Sequence, residues 1–532
     1  MSNNTMDNRS DCKFRLLGCF DSILFWPTFV LFAILILFAL FAPEQCNAFF
    51  SSIKDFFLTN FGWFIVAVGA TTILFSFWML LNNSFGDIKL GGKDATPEFS
   101  FYAWVSMLFC AGLGTGFVIF GVAEPLYHLY TAPSLLDSKT AGLAAGVPEA
   151  IRLSVVNWGL VCWPLFCVAG WAIGYASYRY KKPIRTSTGL YGILGERCND
   201  TLLSKIVDIL AAIATIGGVT MMIGLGVASI TYAIKLLFGI ELGAAGQFCV
   251  MLGLILIYII SSASGIAKGM KMFSESTGYM AIFLLLAAVF LGNTPITYSL
   301  NMILQVTGEF IFRIPQAILW TDSTQITPRP WAGNWFIFYI LWNMSYVPFT
   351  GGFIARISKG RTMREFVFGT VFVPIITCIL WFSIWGSNAC FEQLSGFQPM
   401  WEVVKDNPEQ ALYMLLGSFP MGQILCFIAF VCFCGFAITT ADAASHFIAR
   451  QVSTGEEDST LAMRVIWGSV IGMTGIIFHV TGGFNAIKSV AVSGGVVFIV
   501  VMIAYILSIW RMMHNDPEIK RNNFLPLKNR CE

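Results

Sequence analysis

The sequence predicts an all-α polytopic membrane protein with twelve transmembrane helices. Three observations carry this. Hydrophobic residues make up 56% of the 532 residues and charged residues only 12%, against about 25% charged in an ordinary soluble protein. Twelve stretches approach the ~20 apolar residues that a spanning helix needs. Polar linkers between domains, expected of a soluble chain this long, are missing. The net charge of +2 leaves no basic footprint for DNA or RNA. A soluble multidomain enzyme, a disordered chain and a nucleic-acid binder are therefore excluded.

In chain order, a tail over 1–21 leads into spans at about 22–43, 59–82, 100–130, 153–178, 206–237, 245–262, 276–293, 333–357, 366–386, 419–448, 462–481 and 485–511. The first is too long, and too poorly followed by a small-residue cleavage site, for a signal peptide. Segments 3, 5 and 10 run past the usual length, so they tilt or break. Residues 299–317 mix Leu300, Ile303, Phe310 and Ile311 with Gln305, Glu309 and Arg313, which reads as an amphipathic helix on the outer surface. Residues 512–532 form a short basic tail at the membrane surface. With the N-terminus inside, the inner segments hold 24 of the 32 Lys and Arg, so both termini are expected in the cytoplasm. The expected location is the cell (inner, cytoplasmic) membrane.

Most of the fourteen Cys lie in apolar runs (Cys110, Cys162, Cys167, Cys249, Cys378, Cys426, Cys432, Cys434), where a thiol behaves as a small hydrophobe. Cys46 and Cys390 share the outer side in this topology, which leaves a disulfide open. The four His (His128, His446, His479, His514) have no metal-binding spacing.

Two segments carry breakers. Segment 3 contains Gly112, Gly114 and Gly116, then Gly121; segment 8 contains Pro348, Gly351 and Gly352. Unwound backbone in a bilayer normally lines a cavity or an ion site. Breaks five segments apart point to an inverted-repeat transporter, with segments 3–7 and 8–12 as halves and segments 1 and 2 outside them. The other reading is small-residue helix packing. The acids in the spans are Glu124, Asp208 and Asp442. Asp208 reads as a cap or surface residue, the other two as structural acceptors. None has a nucleophile or catalytic His for a partner, so the protein is not read as an enzyme.

Segment 4 carries Trp158, Trp163 and Phe166, and segment 8 carries Trp335, Tyr339, Trp342 and Tyr346 at spacings of 4, 3 and 4, one helical face. Either these rings pack, or they form a cage for a cation without hydrogens to donate, such as a quaternary ammonium.

At GLGTGFVIFGVAEPLYHL (112–129), NWGLVCWPLF (157–166), WFIFYILWNMSYVPF (335–349), FIARISKGRTMREFV (353–367) and FAITTADAAS (436–445), the chain resembles the betaine/carnitine/choline transporter family over nearly its whole length. The resemblance implies a LeuT-like 5+5 inverted-repeat core, with two peripheral helices over 22–82, repeats over 100–293 and 333–511, and alternating access. It implies a homotrimer held partly by the helix at 299–317, and substrates of the glycine betaine, choline, carnitine or methylamine type. The family's aromatic box maps onto Trp158, Trp163, Phe166, Trp342 and Tyr346, beside Gly112, Gly114 and Gly116. Asn343 replaces one Trp of the family's Trp-Trp pair. Its amide either meets the substrate's polar end or faces away.

Sodium-coupled members similar to this chain bind an ion at positions matching Cys110, Leu113, Phe436, Thr439 and Thr440. A second site would use Thr215 and the Phe349 region; Thr220 is less securely placed. Sodium-independent exchangers carry an Arg in segment 5, and here that segment has only Lys235 at its outer end. The expectation is a sodium symporter with no other cofactor. A sodium-independent exchanger, such as a carnitine antiporter, is the alternative. A membrane sensor is remote, because the short tails hold no output domain. They also lead us to expect nutrient uptake without osmotic gating.

Overall fold

The computed structural model describes residues 20–112, 114–132, 142–264, 271–321, 323, 331–453 and 459–516. Nearly all are helical. Two isolated bridges, Phe20 to Ser453 and Lys89 to Thr362, are the only strand-like pairings among the described residues. Among the described residues, ten helices are long and apolar enough to cross a membrane, or eleven if the bent pair in segment 3 is one span. The twelfth expected segment is α11 (Phe336–Ile357), which is less apolar. Every residue of it except Arg356 is buried, so protein and not lipid surrounds its polar aromatic face.

The other principal helices are α1 (Ser22–Phe41), α2 (Pro43–Leu81), α3 (Phe101–Gly112), α4 (Gly114–Thr131), α5 (Val147–Val155), α6 (Cys162–Arg179), α7 (Leu202–Phe238), α8 (Ala244–Ser264), α9 (Lys271–Phe290) and α10 (Ile296–Phe312). After α11 come α12 (Met363–Val367), α13 (Val373–Ser395), α14 (Gly422–Val452), α15 (Leu461–Val496) and α16 (Phe498–Asn515). At 39 residues α2 outruns the span read at 59–82, because Pro43 sits at its first turn, where a missing N–H costs nothing. The last two expected spans correspond to Leu461–Thr481 and Lys488–Asn515.

Contacts between loops check the order of crossings. Arg185, after segment 4, donates to the Ser453 carbonyl, after segment 10. With the two bridges, this joins 20, 185 and 453 in one group and 89 with 362 in another. Elsewhere Tyr127 donates to the Val404 and Lys405 carbonyls, Arg313 meets Glu149 at 3.0 Å, and Lys488 donates to the Asn334 carbonyl at 2.8 Å. The sequence topology puts each group on a single side.

One of the two expected breaks is present. The two parts of segment 3 bend by 72° between Phe109 and Gly114. The other is corrected: α11 runs unbroken through Pro348, Gly351 and Gly352. These glycines serve close packing. A Cβ on Gly351 would lie 2.7 Å from Ala169 Cβ, and one on Gly352 2.7 Å from the Phe447 ring. Instead, two π turns occur, Val156–Val161 in segment 4 and Phe368–Phe372 in segment 9. Each leads into a helix with Pro in its first turns, Pro164 or Pro374. Proline removes a donor and crowds the carbonyl four residues back, which favours such a bulge.

Helix α10 exposes a mixed face in which Asn301 and Gln305 stand beside apolar side chains. Met302, Val306 and Phe310 are buried, while Leu300, Leu304 and Ile311 are exposed. Cys46 and Cys390 are both free and buried, so the disulfide is not formed, and Cys249 is exposed despite its apolar run.

Candidate functional site

The site begins at the glycines of segment 3. Gly114 has φ +52°, a left-handed conformation that suits glycine. A Cβ there would lie 2.9 Å from Thr440 Oγ1, so the break lies against the threonine pair of α14. A Cβ on Gly112 would meet Trp163 Cη2 at 3.0 Å, and one on Gly116 would meet Trp158 Cη2 at 3.1 Å. The three alternating glycines thus seat two tryptophans of segment 4 and one threonine of segment 10.

The six expected ring and amide residues are all buried but fall into two groups. Trp158 meets Trp342 edge-on at 5.6 Å, and Trp342 meets Tyr346 edge-on at 6.0 Å, geometries favoured by ring quadrupoles. Tyr339 joins them at 5.4 Å from Trp158 and 5.5 Å from Trp342. Trp163 and Phe166 form a second pair at 5.8 Å, extended by Phe109. Asn343 donates its amide to the Tyr339 carbonyl at 2.7 Å, which turns that N–H toward its own helix.

Sequence reasoning missed several rings, among them Phe117, Trp381 and Phe382. Phe117 packs on Trp158 at 5.8 Å and stacks on Trp381 at 4.9 Å, while Phe382 lies 6.4 Å from Trp158. Gly121 was the available signal, because its absent side chain leaves the room that the Trp381 indole fills. Three polar atoms at the site are buried without a hydrogen-bond partner among the described residues: Tyr346 OH, Trp163 Nε1 and Thr350 Oγ1. Leaving a buried donor unmatched costs about 1–3 kcal/mol.

The ion-site candidates are only partly assembled. Thr439 Oγ1 donates back to the Gly435 and Phe436 carbonyls at 2.9 and 3.1 Å, while Thr440 faces Gly114. Leu113 lies outside the described residues; Cys110 is helical in backbone. Thr215 and Thr220 donate back to the Ala211 and Ile216 carbonyls at 2.8 and 2.6 Å. Phe349 packs on Tyr346 at 5.0 Å.

Residues 23–518 match the family described as "BCCT, betaine/carnitine/choline family transporter". The chain belongs to that family. It is 30% identical over 501 residues to the glycine betaine transporter OpuD of Bacillus subtilis (strain 168), covering 94% of this chain and 96% of that one. It is also 30% identical over 497 residues to the osmo-dependent choline transporter BetT2 of Acinetobacter baylyi, covering 93% and 71%. A third relative, the ectoine/hydroxyectoine transporter of Virgibacillus pantothenticus, is 30% identical and covered to 96% of its length.

Membership in the BCCT family makes the protein a multi-pass membrane transporter and not an enzyme. Its membrane acids accordingly serve as hydrogen-bond acceptors. Glu124 accepts from Asn157, Trp158 and Tyr339 and lies 3.0 Å from His128 Nε2. Asp442 accepts from Ser261 at 2.9 Å. Asp208 is corrected: it is 1% exposed, and Thr201 caps its helix. Its carboxylate accepts from Ser187 N and Oγ at 2.8 Å and from Gln451 at 2.7 Å, which fastens the loop after segment 4 to the end of α14.

Proposed function

We propose that this BCCT transporter imports a small quaternary or tertiary ammonium compound of the glycine betaine, choline, carnitine or methylamine type. Trp158, Trp342 and Tyr346 take the ammonium, with Trp163 and Phe166 in a second aromatic layer. Tyr346 OH and Trp163 Nε1 take the polar end. The observation that carries this reading is the edge-to-face junction of Trp158, Trp342 and Tyr346 beside the glycine break, with an unpartnered hydroxyl at its rim. A permanent cation cannot donate a hydrogen bond, and ring faces attract it at about 0.5–2 kcal/mol each.

Sodium is the coupling ion in this reading, held by carbonyls at the break with Phe436, Thr439 and Thr440. Oxygen ligands of this kind suit a hard cation. The 5+5 repeat, alternating access, a homotrimer and cytoplasmic termini complete the proposal. The π turns five segments apart and the loop contacts support the repeat and the topology. The second reading, a sodium-independent exchanger, is favoured by Thr439, whose hydroxyl is already spent on its own helix. Equilibrium binding to purified protein tests the site. Trp158→Leu is expected to abolish saturable binding of choline and glycine betaine; retention of wild-type affinity for both would refute it.

A further inference from the structure

Glu124 lies in segment 3, one residue before Pro125, and is 0% exposed. Oε1 accepts from Asn157 Nδ2 at 2.8 Å and faces His128 Nε2 at 3.0 Å. Oε2 accepts from Trp158 Nε1 at 2.7 Å and from Tyr339 OH at 2.5 Å. A carboxylate offers about four acceptor sites, so this one is filled. Its partners come from three parts of the chain: α4, the π turn of segment 4, and α11.

A purely structural acceptor would need no particular relation to the aromatic site. Here both groups on Oε2 are corners of one triangle of rings. Trp158, Tyr339 and Trp342 lie 5.4, 5.5 and 5.6 Å from one another. A single oxygen therefore fixes two corners, and the third packs on both. The bond to Trp158 runs through the indole N–H in the ring plane, so both ring faces keep their attraction for a cation.

We propose that Glu124 is the positioning residue of the aromatic site, holding Trp158 and Tyr339 in one grip and setting the rings that receive the ammonium. This rests on the reading of Trp158 as part of the ammonium site. It also explains why a carboxylate sits deep in the bilayer without belonging to a catalytic set.

Glu124→Gln keeps the side chain's length and one acceptor for Trp158. Its amide N–H can face the Asn157 oxygen and the other tautomer of His128, so the fold has a way to accommodate it. Uptake of radiolabelled choline and glycine betaine into proteoliposomes is the readout, with thermal unfolding in detergent alongside. The expected result is a KM raised about tenfold, a maximal rate that changes far less, and an unchanged unfolding temperature. Glu124→Asp keeps the carboxyl group but falls one methylene short, so it too raises KM. In double-mutant cycles, E124Q combined with Trp158→Phe is non-additive, while E124Q combined with Trp163→Phe is additive. If W158F raises KM and E124Q leaves it unchanged, or if the two effects simply multiply, the proposal is overturned while the aromatic site stands. If W158F itself leaves KM unchanged, the aromatic-site reading falls and this proposal with it.

Discussion

At the residue scale, the site depends on what is missing from glycines and what is left over on aromatics. Gly114 combines a positive φ with a Thr440 hydroxyl where its Cβ would be. Gly114→Ala therefore pushes the threonine from the break. The expected outcome is an apparent sodium affinity for uptake reduced about tenfold or more, as for a disrupted hydrogen-bonding site worth ~1.5 kcal/mol. A sodium titration checks it, and an unchanged half-saturation would separate Thr440 from the ion. Tyr346→Phe removes a buried hydroxyl that has no partner among the described residues. Protein stability should hold or rise slightly, while KM for a carboxylate-bearing substrate such as glycine betaine rises about fivefold. Equal KM in both proteins would mean that the hydroxyl meets no ligand. The helical face of tryptophans and the glycine run were legible in the sequence because their spacing is local, but spacing left packing and a cage equally open, and the choice of box residues came from the family resemblance. Trp381 and Phe382 were not, since they reach the site from another segment and nothing in their own spacing marks that contact.

At the element scale, the structure divides the two breaker runs that the sequence presents alike. The glycines of segment 3 accompany a sharp bend, while Pro348, Gly351 and Gly352 lie in a continuous helix. Composition cannot separate these outcomes. A glycine in a membrane helix serves backbone freedom in one context and close approach in another. The deciding fact is the neighbour, Ala169 Cβ at 2.7 Å from a Cβ placed on Gly351. Gly351→Val should therefore wedge α6 from α11 and cost about 1–3 kcal/mol, as overpacking does. Thermal unfolding in detergent measures this; an unfolding temperature equal to wild type would show that the contact has slack. The π turns also went unread, although their signal was present in Pro164 and Pro374. Each proline lies within an apolar run and reads as a kink, and only the backbone pattern shows which kind.

At the scale of the whole molecule, the many apolar spans were readable from hydropathy, and ten or eleven of them stand as helices long enough to cross a membrane among the described residues. Helix α11 is the instructive exception in the span count, because a helix enclosed by protein can trade apolar residues for Trp, Tyr and Asn. The proposed sodium coupling lies beyond both composition and fold, since it would depend on a few oxygens around the break. The energetic stakes are large. Each positive charge moved inward across about 100 mV contributes roughly 2.3 kcal/mol, which an exchanger of like-charged amines does not gain.

The most direct test of the central claim is uptake of radiolabelled glycine betaine, choline, carnitine and trimethylamine by proteoliposomes. Each is run with an inward sodium gradient, with potassium alone, and with the lumen preloaded with unlabelled substrate. Our account predicts accumulation of at least one of these that requires sodium and needs no preloading. Uptake that requires preloading and ignores sodium would contradict the symport mechanism and leave Thr439 and Thr440 as structural hydroxyls. No saturable uptake of any of the four would contradict the ammonium site itself.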